Sequence, residues 1–156
     1  MTRRALTGAL AALALLVGLA TSPAQAKNGC KGDHERIEHH RGDPRARITF
    51  IGMTRDGHAH HGDRFHGRSV AVVRIIVDWR RLGTPGTQRL DVFTPNGDLY
   101  RSFTATATDD AVVETRLPVA GTWITQHSMF GAWCAEVSLV GEEGPVARDG
   151  FVLAPR

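Results

Sequence analysis

Apolar and polar residues alternate with a period of two along much of the chain beyond Arg47. The clearest run is "SVAVVRIIVDW", Ser69 to Trp79, in which Ala71, Val73, Ile75, Val77 and Trp79 share one face and Arg74 and Asp78 the other. That alternation predicts a strand with one side in a core. "GAWCAEVSLV" repeats it, with Trp133, Ala135, Val137 and Leu139 inward and Cys134, Glu136 and Ser138 outward. Further strands are predicted at Arg47 to Met53, Gln88 to Thr94, Leu99 to Ala107, "AVVETRLPV", "GTWITQ" and "GFVLAP". Pro95-Asn96-Gly97-Asp98 joins two of them as a hairpin, because Pro presets φ and Asn-Gly accepts positive φ at low cost.

About seven or eight short strands, separated by Gly/Pro/Asp turns and without an amphipathic helix longer than two turns, predict an all-β domain: a single antiparallel β-sandwich of immunoglobulin-like size over residues 46–156. An up-and-down barrel is the structural rival. "DVFTPNGDLYRSF", "ETRLPVAGTW" and "GAWCAEVSLVGEEGPVARDGFVL" resemble the second half of secreted bacterial immunoglobulin-like or macroglobulin-type β-sandwich modules, where a Pro-x-Gly hairpin precedes an extended strand and Gly-x-Trp opens the strand before the last. The likeness spans about Ser69 to Leu153 and implies the fold without implying an activity. The chain departs from antibody-type domains at Cys134, which faces away from Trp133 and so is out of place for a disulfide through the core.

The opening "MTRRALTGALAALALLVGLATSPAQA" changes the picture of where this domain resides. A basic start, an apolar run and a small-residue cleavage site at Ala24-Gln25-Ala26 predict a signal peptide over residues 1–26 and a secreted or periplasmic product. The apolar run falls short of the roughly 20 residues that a spanning helix needs, so no membrane span is expected in the mature chain. Residues 27–45, "KNGCKGDHERIEHHRGDPR", are charged or turn-forming, with Ile37 the only large apolar side chain, and predict a flexible arm rather than a core segment. Removing 26 of the 156 residues takes away two arginines and no acid, leaving 17 basic against 16 acidic residues. This near-neutral balance, with arginines scattered among acids, argues against a nucleic-acid partner.

Export also bears on the two cysteines, Cys30 and Cys134. In an oxidising compartment they are expected to pair, fastening the arm across the outer face of the strand that carries Cys134. Seven of the eight histidines lie between His34 and His66, four of them in "DGHAHHGDRFHG". His58, His60, His61 and His66 are the candidate ligands for Zn²⁺ or Cu²⁺, since neutral imidazoles suit these ions and a loop can supply several. Against this, no recognised zinc spacing is present and Gly57, Gly62 and Gly67 leave the segment unorganised, so no cofactor is required. No catalytic constellation emerges either. His127 and Ser128 are neighbours and not a triad, there is no "GxSxG" elbow, and the acidic pairs Asp109-Asp110 and Glu142-Glu143 sit in turns. The expectation is a non-enzymatic binding or interaction module for a protein or glycan partner, with a periplasmic metal-binding protein using the histidine-rich loop as the alternative.

Overall fold

The computed structural model describes Cys30, Ile37 and residues 41–155. The expected signal peptide and much of the expected arm, including His34, His39 and His40, lie outside the described residues. Nine strands follow: β1 (Arg45–Thr54), β2 (Ala59–His61), β3 (Arg64–His66), β4 (Val70–Arg80), β5 (Gly86–Phe93), β6 (Leu99–Ala107), β7 (Val112–Pro118), β8 (Gly131–Leu139) and β9 (Ala147–Ala154). They form two sheets, ordered β2-β1-β4-β7 and β3-β9-β8-β5-β6. Every neighbouring pair is antiparallel except β3 and β9, which run parallel. The fold is therefore all-β, as the alternation predicted.

The two sheets meet over one apolar core. On β4, Val73, Ile75, Val77 and Trp79 are fully buried, and on β8 so are Trp133, Ala135 and Val137. Phe50 on β1 lies 5.0 Å from Phe151 on β9 and joins the layers, while within the second sheet Phe151 stacks beside Trp133 at 6.1 Å. Tyr100 meets Trp133 edge-on at 5.3 Å. Such tilted and edge arrangements suit the ring quadrupoles and add to the burial itself. One polar pair crosses the layer, where the Trp79 indole N–H donates to Gln88 Oε1 at 2.7 Å.

The expected hairpin is present between β5 and β6. Thr94 Oγ1 accepts from the N–H groups of Asn96 and Asp98, and Gly97 takes φ 92°. "GTWITQ", by contrast, is not a strand. Thr122 Oγ1 accepts from the Ile124 N–H and starts a single helical turn, α1 (Trp123–Gln126), whose Ile124 fills the end of the core. Competition from this cap, together with burial of only one residue in the turn, explains why a β-branched stretch goes helical. Among the described residues, no helix is long and apolar enough to cross a membrane.

Cys30 and Cys134 form a disulfide, with Cα atoms 4.8 Å apart and a sequence separation of 104. Cys134 projects from the outer face of β8, where its neighbour across the ladder on β9 is Gly150. Cys30 sits over this point, its Sγ 3.5 Å from the Asp149 carbonyl oxygen. Closing so long a loop constrains the unfolded chain, for which the entropy model gives about 4 to 5 kcal/mol as an upper bound. Replacing both cysteines (Cys30→Ala with Cys134→Ala) is expected to lower Tm by roughly 10 °C. The far-ultraviolet circular dichroism of the folded protein should be unchanged, because neither residue contributes to the core; an unaltered Tm would deny the staple any energetic role.

Candidate functional site

The histidine-bearing segment, Asp56 to Gly67, is where the chain passes from one sheet to the other. Thr54 organises the first turn: its N–H donates to the His58 carbonyl at 2.9 Å and its Oγ1 accepts from the His58 N–H at 3.0 Å. β2 then runs back along β1, with His61 across from Ile51, His60 from Gly52 and Ala59 from Met53. Gly62, at φ 139°, bends the chain across to the second sheet, where Arg64, Phe65 and His66 pair in parallel with Val152, Leu153 and Ala154. Phe65 is the anchor of this crossing. It is buried and packs 6.3 Å from Phe151. It also lies so close over Gly52 that a Cβ there would come within 2.5 Å of its ring.

This geometry separates the candidate metal ligands. All four histidines are exposed. His60 and His61, as strand neighbours, leave opposite faces, and His66 belongs to the other sheet. His58 meets only Asp56, Nε2 to Oδ2 3.4 Å, on the solvent side. Among the described residues no group of three or more histidine, cysteine, aspartate or glutamate side chains is placed to share an ion. Drawing the four imidazoles together would mean breaking β2 and β3 away from their sheets.

The crossing instead roofs a groove. β2 covers β1 only from Ile51 to Met53, and β3 covers β9 only from Val152 to Ala154. Below those points, among the described residues, the edges of β1 (from Arg45) and β9 (from Ala147) carry no neighbouring strand on this side. They face each other across an open cleft of about 730 Å³ lined by residues 46–51, His61–Asp63 and residues 147–149. Its exposed lining is mixed polar and apolar, with Ile48 and Phe50 buried behind it, and Arg47, Asp63, Arg148 and Asp149 supply charge at the rim. Arg148 is tied to Glu136 on β8 at 2.8 Å. Sequence reasoning missed this site because its parts lie as much as 100 residues apart and each strand shows ordinary alternation.

Asp149 is the electrostatically unusual group. Partial burial pushes its carboxyl above the ordinary aspartate range. The Gly150 N–H, at 2.8 Å from Oδ1, opposes that, the nearby Asp63 charge reinforces it, and Arg47 offsets it in part. The other acidic pairs have local duties. Asp109 Oδ1 accepts from the Leu82 N–H at 2.9 Å and holds the β4–β5 crossing, while Asp110 lies 3.8 Å from Arg80. His127 stacks on the exposed Trp123 ring at 4.0 Å rather than engaging Ser128.

Two outcomes follow from these positions. Calorimetric titration with Zn²⁺ should give only weak binding, equal in the protein and in a variant carrying His58→Ala, His60→Ala, His61→Ala and His66→Ala; tight one-to-one binding lost in the variant would restore the metal centre. For Asp149 the folded state holds its proton more strongly than the unfolded state, so ionisation works against folding and stability is lost as pH rises through the raised value. Asp149→Asn, which keeps an acceptor for the Gly150 N–H, should therefore raise Tm at neutral pH and make no difference below the unfolded aspartate range, near pH 3. A lower Tm at pH 7 would mean that the charge is a net stabiliser.

No protein-family model matches this chain, and no curated protein matches it significantly.

Proposed function

We propose that the chain is an exported, non-enzymatic binding module of immunoglobulin-like sandwich type, and that the groove between the β1 and β9 edges takes an extended segment of a partner protein. The observation that carries this reading is a pair of strand edges that, among the described residues, have no neighbouring strand and face one another across an open cleft. Backbone N–H and C=O groups along such an edge can be satisfied by an added strand, with the neighbouring side chains selecting its sequence.

Three further features support the reading. Two sheets of four and five strands packed over one apolar core are compatible with a sandwich of this type. The Cys30–Cys134 bond suits an oxidising compartment, in keeping with the export signal read at residues 1–26. The rim charges are mixed in sign, which suits a polypeptide of mixed character better than a polyanion.

Site-specific photocrosslinking tests the proposal. A photoreactive amino acid at Thr49, exposed in the groove wall, should yield a discrete protein adduct in the exported fraction. The same group at Gln126, exposed on α1 and outside the groove lining, should not. Equal labelling at both positions, labelling of glycan alone, or none at Thr49 would overturn the assignment of the groove.

A further inference from the structure

At the end of the sandwich where β1 begins and β4 finishes lies a second cleft, of about 430 Å³, lined by Arg45, Arg80, Arg81, Asp109 and Asp110. None of these residues lines the groove. Three segments meet there: the start of β1, the β4–β5 crossing and the β6–β7 turn. Two of them bring something locally unfavourable to the same place.

The first cost is electrostatic. Arg45 and Arg80 stand directly across the β1–β4 ladder, where like charges repel. Asp78 relieves Arg80, with Oδ1 3.2 Å from Nε and Oδ2 3.3 Å from Nη2, and Asp110 adds a longer contact at 3.8 Å. Arg45 has no such partner among the described residues.

The second cost is in the backbone. Arg81 holds φ 61°, where a side chain crowds its own main chain and glycine would be at ease. The fold needs this bend, because it turns Leu82 into the core with its N–H on Asp109 Oδ1 at 2.9 Å. Nothing in the bend needs an arginine. The Arg81 side chain is exposed and, among the described residues, makes no ion pair or hydrogen bond. Strain carried by a side chain that does nothing for its own fold, in a cleft beside a second unpaired arginine, directs attention to a ligand.

We propose that this cleft binds the carboxylate of a small organic acid, with the Arg45 and Arg81 guanidiniums as donors and Arg80, held by Asp78 and Asp110, as a fixed positive wall. A guanidinium offers parallel N–H groups that match the two oxygens of a carboxylate. The lining also selects the ligand's charge. Two unpaired guanidiniums attract an anion, while Asp109 and Asp110 on the same cleft repel it, so a singly charged carboxylate is favoured over a doubly charged phosphate or a polyanion. Because the arginines are exposed, the affinity is modest and falls with salt. The inference does not rest on the strand-binding reading of the groove.

Nuclear magnetic resonance titration of the isotope-labelled, disulfide-bonded protein at low salt tests it, with benzoate as the probe, benzamide as its uncharged counterpart and inorganic phosphate as the competing anion. Benzoate should shift the backbone amides of Arg45, Arg81 and Leu82 saturably, benzamide should leave them unmoved, and phosphate should bind more weakly than benzoate. Arg45→Gln should weaken benzoate binding roughly tenfold, as expected for the loss of one charge-assisted pair. Arg81→Gly should weaken it similarly and at the same time raise Tm by about 2 to 5 °C, because glycine removes the backbone strain. A purely structural Arg81 would not give these opposite effects together. Absence of a saturable shift with benzoate, an equal response to benzamide, phosphate binding as tight as benzoate or tighter, or an Arg81→Gly protein that binds as before or fails to melt higher would each overturn the proposal.

Discussion

Trp79 brings an indole N–H into the middle of an apolar layer, and the arrangement of the two sheets depends on how that donor is satisfied. Left without a partner in the core it would cost about 1 to 3 kcal/mol. Gln88, fully buried on the facing sheet, accepts the bond. A slip of one residue in β5 would turn Gln88 to solvent and bring Arg89 inside, since side chains alternate along a strand. The bond therefore sets the register of β5 against β4, and β5 in turn sets β8 and β6 on either side of it. The arrangement is not free of cost, because Gln88 Nε2 has no partner among the described residues. A polar contact that is only half satisfied contributes less to net stability than to the choice of a single alignment, since a one-residue slip leaves the Trp79 N–H unpaired and buries the Arg89 charge.

The short crossing between β4 and β5 shows the same logic in the backbone. Arg81 adopts φ 61°, a conformation unfavourable for a side chain of that size, and the Leu82 N–H is held by Asp109 Oδ1. The turn accepts that strain because Trp79 on one side and Gln88 on the other are fixed by the core. At the opposite flank Gly52 plays the complementary part. Its missing side chain lets Phe65 lie against β1, so that three residues of β3 are carried over to the second sheet and the upper edges of both sheets are covered by one segment. Where that segment stops, the groove begins.

How much of this was legible depended on whether a residue's role is set by its neighbours in sequence or by distant ones. β4 and β8 announce themselves because four apolar residues in phase leave only one way to bury them. The outward position of Cys134 follows from the same parity, whereas its pairing with Cys30 was read from the export signal and from there being two cysteines. Gln88 was not legible as a core residue, because only the approach of Trp79 makes a buried amide favourable. The histidine segment reads as a loop, since three glycines and a single apolar Phe65 carry no period, and its two short strands exist only through β1 and β9. α1 was missed because Thr122 and Ile124 fit a strand equally well until the end of the core has to be closed. The groove was invisible for a simpler reason: a free edge is defined by what does not pair with it.

The outer faces show why the groove stands apart electrostatically. Elsewhere acids on the sheets are matched by bases. Glu114, bonded to Arg74 and then to Arg116, is held below the ordinary glutamate range. Burial alone would raise Asp91, but hydrogen bonds from Arg89 and from Ser102, at 2.5 Å, outweigh it and the carboxyl titrates low. For such groups the stability they contribute is present above the unfolded pKa, roughly pH 4, and is lost as pH falls through the folded value. Asp149 has the opposite sign. Its desolvation and the neighbouring Asp63 charge outweigh the Gly150 N–H and Arg47, so acid relieves the groove while it weakens the sheets. A fold that matches its charges on the outer strands and leaves an unfavourable one at the groove rim places that charge beside strand edges that, among the described residues, have no neighbouring strand. An added strand bearing a positive group near Asp149 would answer both deficits at once, which is the physical case for binding at this edge.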